Sequence, residues 1–260
     1  FYYLQLPIHL FRVVFKTLKL TKKFNLNLIR ANDPYWMGLF GYICSRVCKI
    51  PFCVSIHADY ENRVKLDKNI SIIKVFGSYK IAKKLERFIL ARANMILPIR
   101  QSLAVKAIAS GAKEEKVKVI PHGIDLTPFN SPAVHKTRQL FNINSTIKII
   151  SFVGRLSKDN YIDDIIEVCI NLGKKRKDFL IVMAGGGKEE NRIKEIVASD
   201  SLLQKHILLV GFQPRDVCFD IRRTSDVSLC LMGGFSLIEA CAAARPVVSY
   251  NVEWHSELVK

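Results

Sequence analysis

The sequence predicts an α/β protein of two domains, each a parallel sheet covered by helices. Three observations lead there. From Ile147 onward, short and nearly continuous apolar runs alternate with segments of helical spacing, the pattern of strands buried on both faces. The successive runs end in glycine, at Gly154, at Gly185 to Gly187, at Gly211, and at Gly233 and Gly234. Between the two halves, "LTPFNSPAVHKTRQLFNINST" has little strand character and two prolines. It places a domain boundary near residue 130 and gives domains of 1–130 and 131–260.

In the second half the order reads strand "IKIISFVG", helix "YIDDIIEVCINL", strand "FLIVMAG", helix "KEENRIKEIV", strand "HILLVGF", helix "RDVCFDIRR", strand "DVSLCLM", helix "SLIEACAAA" and strand "PVVSY". Ligands of open α/β sheets bind outside the carboxyl ends of the strands, so glycine loops in register on that edge describe a crevice. The plainer reading, that these glycines only make tight turns, stays open. In the first half "LNLIRA", "PFCVSIHA", "NMILPI" and "KVKVIPHG" read as strands. "YWMGLFGYICSRVC", "IIKVFGSYKIAKKLERFILARA" and "SLAVKAIAS" read as helices. Two such domains on one linker imply a cleft able to take a small ligand.

Charge is unevenly spread. Residues 1–130 hold 22 Lys and Arg against 8 Asp and Glu, whereas residues 131–260 hold 18 against 15. An anionic partner is expected for the first half alone. In "LFRVVFKTLKLTKKF" helical spacing puts Arg12, Lys16, Lys19 and Lys23 on one side, with Phe11, Val14, Phe15 and Leu18 grouped on another. That helix either rests its apolar face on the sheet or docks on anionic lipid. No nucleic-acid partner is expected, because the basic residues carry no recognition motif or aromatic platform. Seven cysteines without a C-x-x-C pair suit reduced thiols in the cytoplasm. No run of apolar residues is long enough to span a membrane. The chain opens on Phe and stops in mid-pattern, so a fragment is expected, with the first domain short of opening strands and the second short of its closing helices.

The stretch "GGFSLIEA" joins a glycine pair to a helix start, where unpaired N–H groups and the dipole favour an anion such as a diphosphate. Ser236 and Glu239 also spell a capping box, in which Glu239 would reach back to the Ser236 amide.

"FVGRLSKDNYIDDIIEV", "VIPHGIDLTPF", "AGGGKEENRIKEI" and "GGFSLIEACAAARPVVSYNVEWHSELV" resemble, in order, the signatures of glycosyltransferase family 4. The resemblance covers most of residues 50–260. It implies a GT-B fold of two Rossmann-like domains and a retaining, metal-independent enzyme with no cofactor beyond its nucleotide-diphosphate-sugar co-substrate. Its roles fall on Arg155 as the diphosphate clamp, on Glu239 as acceptor of the ribose hydroxyls, and on His57 at a strand end. Donor contacts would come from Gly154, Lys158, Asn160, Gly185, Gly186, Gly233, Gly234, Phe235, Ser236 and Leu237. His122 and Asp125 of "PHGID" would fix a turn. The implied acceptor is a glycan or a lipid-linked sugar, and the implied place is the cytoplasm, peripheral at the inner face of the membrane. Two departures leave a second reading open, a non-catalytic homologue that binds nucleotide-sugar or partners an active subunit. Leu231 stands where the family's first acid falls, and Asn160 where it usually carries lysine.

Overall fold

The computed structural model describes residues 2–61, 78–130, 136–232, 234–251, 255 and 257. By their internal contacts these form two compact units, residues 1–122 and 123–260.

The first unit opens with helix α1 (Tyr2–Phe24), followed by β1 (Ile29–Ala31), α2 (Trp36–Cys48), β2 (Phe52–Ile56), α3 (Tyr79–Arg92), β3 (Met95–Pro98) and α4 (Gln101–Ala109). The three strands form a parallel sheet in the order β1-β2-β3. Every residue of the central β2 is buried, which explains a run that is apolar except for Ser55. Helix α2 comes close to the sheet through glycine: a Cβ on Gly41 would lie 2.6 Å from the Phe52 ring. Helix α3 starts where Ser78 accepts a hydrogen bond from the Lys80 amide. The earlier part of the expected helix, residues 72–77, lies outside the described residues.

The expected strand "KVKVIPHG" does not form. Only an isolated bridge joins Val117 to Ile96, with the Lys118 and Ile120 amides donating to the carbonyls of Ile96 and Pro98. A parallel ladder needs a return donation from residue 98, and proline has no N–H to give.

The second unit holds α5 (Thr127–Asn130), α6 (Lys136–Leu140), β4 (Lys148–Val153), α7 (Ile162–Gly173), β5 (Phe179–Ala184), α8 (Glu190–Ser199), α9 (Ser201–His206), β6 (Ile207–Gly211), α10 (Arg215–Thr224), β7 (Val227–Leu229), α11 (Phe235–Ala242) and β8 (Val247–Val248). All pairings are parallel, in the order β6-β5-β4-β7-β8. Both faces of the sheet are covered. Ile181 and Met183 join a core with Ile162, Ile165, Ile193 and Leu203, while the alternate residues Val182 and Ala184 pack with Ile143, Ile149 and Ile221.

Helix α9 was not expected from the sequence. Asp200 separates it from α8 and caps it, its Oδ1 accepting from the Leu202 and Leu203 amides. The expected strands "DVSLCLM" and "PVVSY" shrink to three and two residues. Residues 123–130, placed by sequence in the first domain, pack with the second unit instead. Phe129 lies against Phe219 of α10 with ring centroids 4.8 Å apart, and Arg223 donates to the Pro128 carbonyl.

Candidate donor-site edge and its relatives

The chain leaves β4, builds outward through β5 and β6, then returns to place β7 on the other side of β4. The strand order therefore reverses between β4 and β7, and the crevice beyond their carboxyl ends is where such sheets bind ligands. The two loops there are "GRLSKDN" after β4 and the turn leading into α11 after β7.

The first loop is bound tightly to its neighbour after β5. The Gly154 amide donates to Ala184, Leu156 to the Gly186 carbonyl, and Gly185 to Gly211. Gly185 adopts φ +138°, and a Cβ there would lie 1.9 Å from the Gly154 carbonyl oxygen. A Cβ on Gly187 would meet the Leu156 carbonyl at 2.4 Å. These glycines serve first to let two loops touch, and the amides of Gly154 and Gly185 are already engaged. Asn160 closes the loop from below, its Nδ2 donating to the Arg155 carbonyl at 2.9 Å and to Ser157 Oγ at 3.0 Å. Lys158 and Arg155 are both exposed. The Arg155 side chain is 71% accessible and meets only Asp159, at 3.3 Å, among the ion pairs of the described residues.

At the second loop, Gly234 takes φ +69° and begins α11 without any side-chain cap. The expected capping box is therefore absent. The helix starts at Phe235, which puts Ser236 inside the first turn, and the Ser236 hydroxyl donates to the Val153 carbonyl at 2.6 Å. Glu239 turns instead to Arg222 of α10, accepting at 3.1 Å from Nη2. The same nitrogen donates to Ser236 Oγ at 3.0 Å and to the Val153 carbonyl at 3.3 Å. Phe235 is half exposed and Leu237 buried, so of this pair only the ring faces solvent. Gly233 lies outside the described residues. Leu231 is a core residue, packed with Leu229 and Phe152, so a carboxylate at that place would be buried without water.

Two contributors could not be found by spacing. Arg222 lies 17 residues from Glu239. His255 comes from "NVEWHSELVK" and bonds the Met232 carbonyl through Nε2 at 2.6 Å, with Nδ1 at 2.6 Å from the Tyr250 carbonyl. It ties the end of the described chain to the turn before α11.

In the first unit, His57 follows β2 and stacks on His122, with centroids 5.4 Å apart and planes 12° from parallel. Burial, then the neighbouring His122 and Arg30, lower the His57 pKa from 6.5. The His122 pKa falls for the same first reason and through Arg30. Arg30 is itself anchored by Nε to the buried Ser55 hydroxyl at 2.6 Å. His122 thus does more than hold a turn, whereas Asp125 does cap one, accepting from the Thr127 amide at 2.9 Å. Beyond β2 lies a small cavity in which Ile56, Leu103 and Ala107 join Tyr35, Lys83 and Glu86 in the lining. Glu86 receives Lys83 at 2.9 Å and the Tyr35 hydroxyl at 3.4 Å.

Comparison with known proteins accounts for both units. The family model described as Glycosyltransferase Family 4 matches residues 2–128, and that of glycosyl transferases group 1 matches residues 134–260. An alpha-monoglucosyldiacylglycerol synthase of Streptococcus pneumoniae is 24% identical over 94% of this chain and 56% of its own length. An Escherichia coli UDP-Gal:alpha-D-GlcNAc-diphosphoundecaprenol alpha-1,3-galactosyltransferase is 25% identical over 93% of this chain and 62% of its own. The chain thus spans little more than half the length of these two relatives. Among solved structures, Anabaena HepE in complex with UDP superposes with a TM-score of 0.75 at 20% identity, over 95% of this chain and 65% of that one. With two matched models spanning almost its whole length and a shared two-domain architecture, the chain belongs to the GT-B glycosyltransferases of family 4.

Proposed function

We propose that the chain transfers a sugar from a nucleotide-diphosphate sugar to a glycan or lipid-linked acceptor, with retention of anomeric configuration. One observation carries the reading. The exposed Arg155 and the uncapped start of α11 lie on the two loops that flank the reversal of strand order. Arg155 clamps the diphosphate with its planar fork, and the helix end stabilises charge on the leaving phosphate. Gly154, Lys158 and Asn160 shape the first wall. Gly234, Phe235, Ser236 and the backbone of Leu237 shape the second, and Glu239 accepts the ribose hydroxyls. With Leu231 in place of the family's first acid, departure of the diphosphate on the attacked face is driven by electrostatics.

The UDP complex of HepE, the glycolipid product named for the Streptococcus pneumoniae relative, and the UDP-sugar donor and lipid-linked acceptor named for the Escherichia coli relative support this choice of donor and acceptor. A second reading, nucleotide-sugar binding without turnover, is favoured by the burial of Leu231 and by the use of Asn160 as a loop brace.

Calorimetry with UDP, GDP and ADP tests the site. One should bind, and Arg155→Ala should weaken it roughly tenfold or more, as loss of a charge-assisted hydrogen bond does. The ligand-free melting temperature should not move, because an exposed pair contributes little. Unchanged affinity in the variant would remove Arg155 from the site. Binding of a nucleotide-sugar with no transfer or hydrolysis by the full-length protein would favour the second reading.

A further inference from the structure

Arg222 is an expensive residue to bury. Its side chain is 2% accessible, and among the described residues its Nε has no hydrogen-bond partner. An apolar side chain of similar size would avoid both the desolvation and the orphaned donor. Stability therefore does not explain a guanidinium here, and its contacts suggest what does. Nη2 faces three acceptors from three places in the chain: the carbonyl of Val153, which ends β4; Ser236 Oγ, in the first turn of α11; and Glu239 Oε2, one turn further on. The first ends the strand and the second lies in the first turn of the helix on either side of the reversal of strand order, and Glu239 follows directly. The Ser236 hydroxyl reaches the same Val153 carbonyl at 2.6 Å, so the end of β4 and the start of α11 are joined twice.

We infer that Arg222 is a positioning residue for the donor, fixing the Glu239 carboxylate and the first turn of α11 against the end of β4. This rests on the donor-site reading above. Arg222 occupies Oε2 of Glu239 and fixes the carboxylate plane, so the other oxygen is presented in one orientation. The carboxylate side chain is only 21% accessible and would otherwise sample several rotamers. A preoriented acceptor loses less freedom on binding. The residue touches no reacting atom in this scheme and acts through Glu239.

The test is a double-mutant cycle on nucleotide-diphosphate affinity, with UDP, GDP and ADP as probes and the full chain as the protein. R222M removes the guanidinium at nearly constant volume, and the surviving Ser236–Val153 bond keeps the two elements joined. E239Q removes the charged acceptor. Each alone should weaken binding roughly tenfold, and R222M added to E239Q should cost less than about twofold more, because residues acting as a unit are not additive. R222K, which keeps the charge but not the fork, should recover part of the loss. Should R222M not fold, R222K carries the same cycle, with a loss of a few-fold in the parent and none beside E239Q. A loss of equal size in both backgrounds, or no loss in either, would overturn the positioning role alone. Failure of the parent chain to bind any of the three diphosphates would overturn the donor-site reading and the positioning role with it.

Discussion

Asn160 illustrates what a residue can and cannot disclose before its contacts are known. In the sequence it is an absent lysine. In the structure its amide braces the loop that carries Arg155, a role compatible with either an active or a weakened enzyme. Gly185 was legible as a strand-end glycine, but the carbonyl that demands it, on Gly154, comes from a neighbouring strand. Arg222 was illegible because its partners lie 14, 17 and 69 residues away, and His255 because its bond to the Met232 carbonyl spans 23 residues, with no short motif linking either. The pairing of His57 with His122 was likewise hidden, although each was noticed alone. It has a measurable consequence. Both pKa values are lowered in the folded state, so between those values and 6.5 the unfolded chain binds more protons. The two histidines cost nothing above 6.5, and stability is lost as pH falls from there through the lowered values. NMR titration should place the His57 midpoint below 6.5. In H122N it should rise but stay below 6.5, because burial is the larger cause. A midpoint at or above 6.5 in the parent would contradict the arrangement.

At the scale of elements, apolar spacing located most helices and strands, since burial on one or both faces is what spacing records. It failed where a single backbone group decided the outcome. Pro98 stopped a ladder that the alternating run "KVKVI" invited, and Asp200 started a helix that periodicity had not marked. The S-x-x-E pattern at Ser236 was real in sequence and idle in structure, because Gly234 starts the helix two residues earlier. Helix α1 departs from expectation in a more useful way. It does not rest Phe11 and Phe15 on the sheet. Thr17 and Thr21 meet Cys44 and Cys48 of α2, and Val14 and Leu18 are half-buried. Phe11 and Phe15 remain 73% and 62% accessible, stacked on each other with centroids 6.5 Å apart, on a helix that also carries exposed Arg12, Lys16, Lys19, Lys22 and Lys23. No helix among the described residues is long and apolar enough to cross a membrane. Exposed aromatics beside lysines suit the surface of an anionic bilayer, where each basic residue contributes about 1 kcal/mol. In sedimentation with vesicles, the chain should bind phosphatidylserine-containing membranes at low salt and lose binding as salt rises. Substituting Phe11 and Phe15 by Ser, or Lys16, Lys19 and Lys23 by Gln, should reduce it. Equal binding to neutral vesicles, or none to either, would leave α1 a solvated helix.

For the molecule as a whole, alternation of strands and helices was enough to announce parallel sheets, and the order of signatures was enough to suggest the family. Strand order was not legible, because nothing in the sequence says that β7 returns to pair with β4 and not with β6. That return is what creates the crevice and gives Arg155, Gly234 and Glu239 a common edge. The boundary near residue 130 was read from prolines. The contact division falls at 122/123, because Pro128 and Phe129 are held by α10 of the second unit. The most direct test of a donor site at the β4/β7 reversal is hydrogen–deuterium exchange of the chain with and without its preferred nucleotide diphosphate. Exchange should slow in residues 154–158 and 234–239 and remain unchanged along β6 at the sheet's far edge. Protection confined to other segments, with these two loops exchanging as in the free protein, would contradict it.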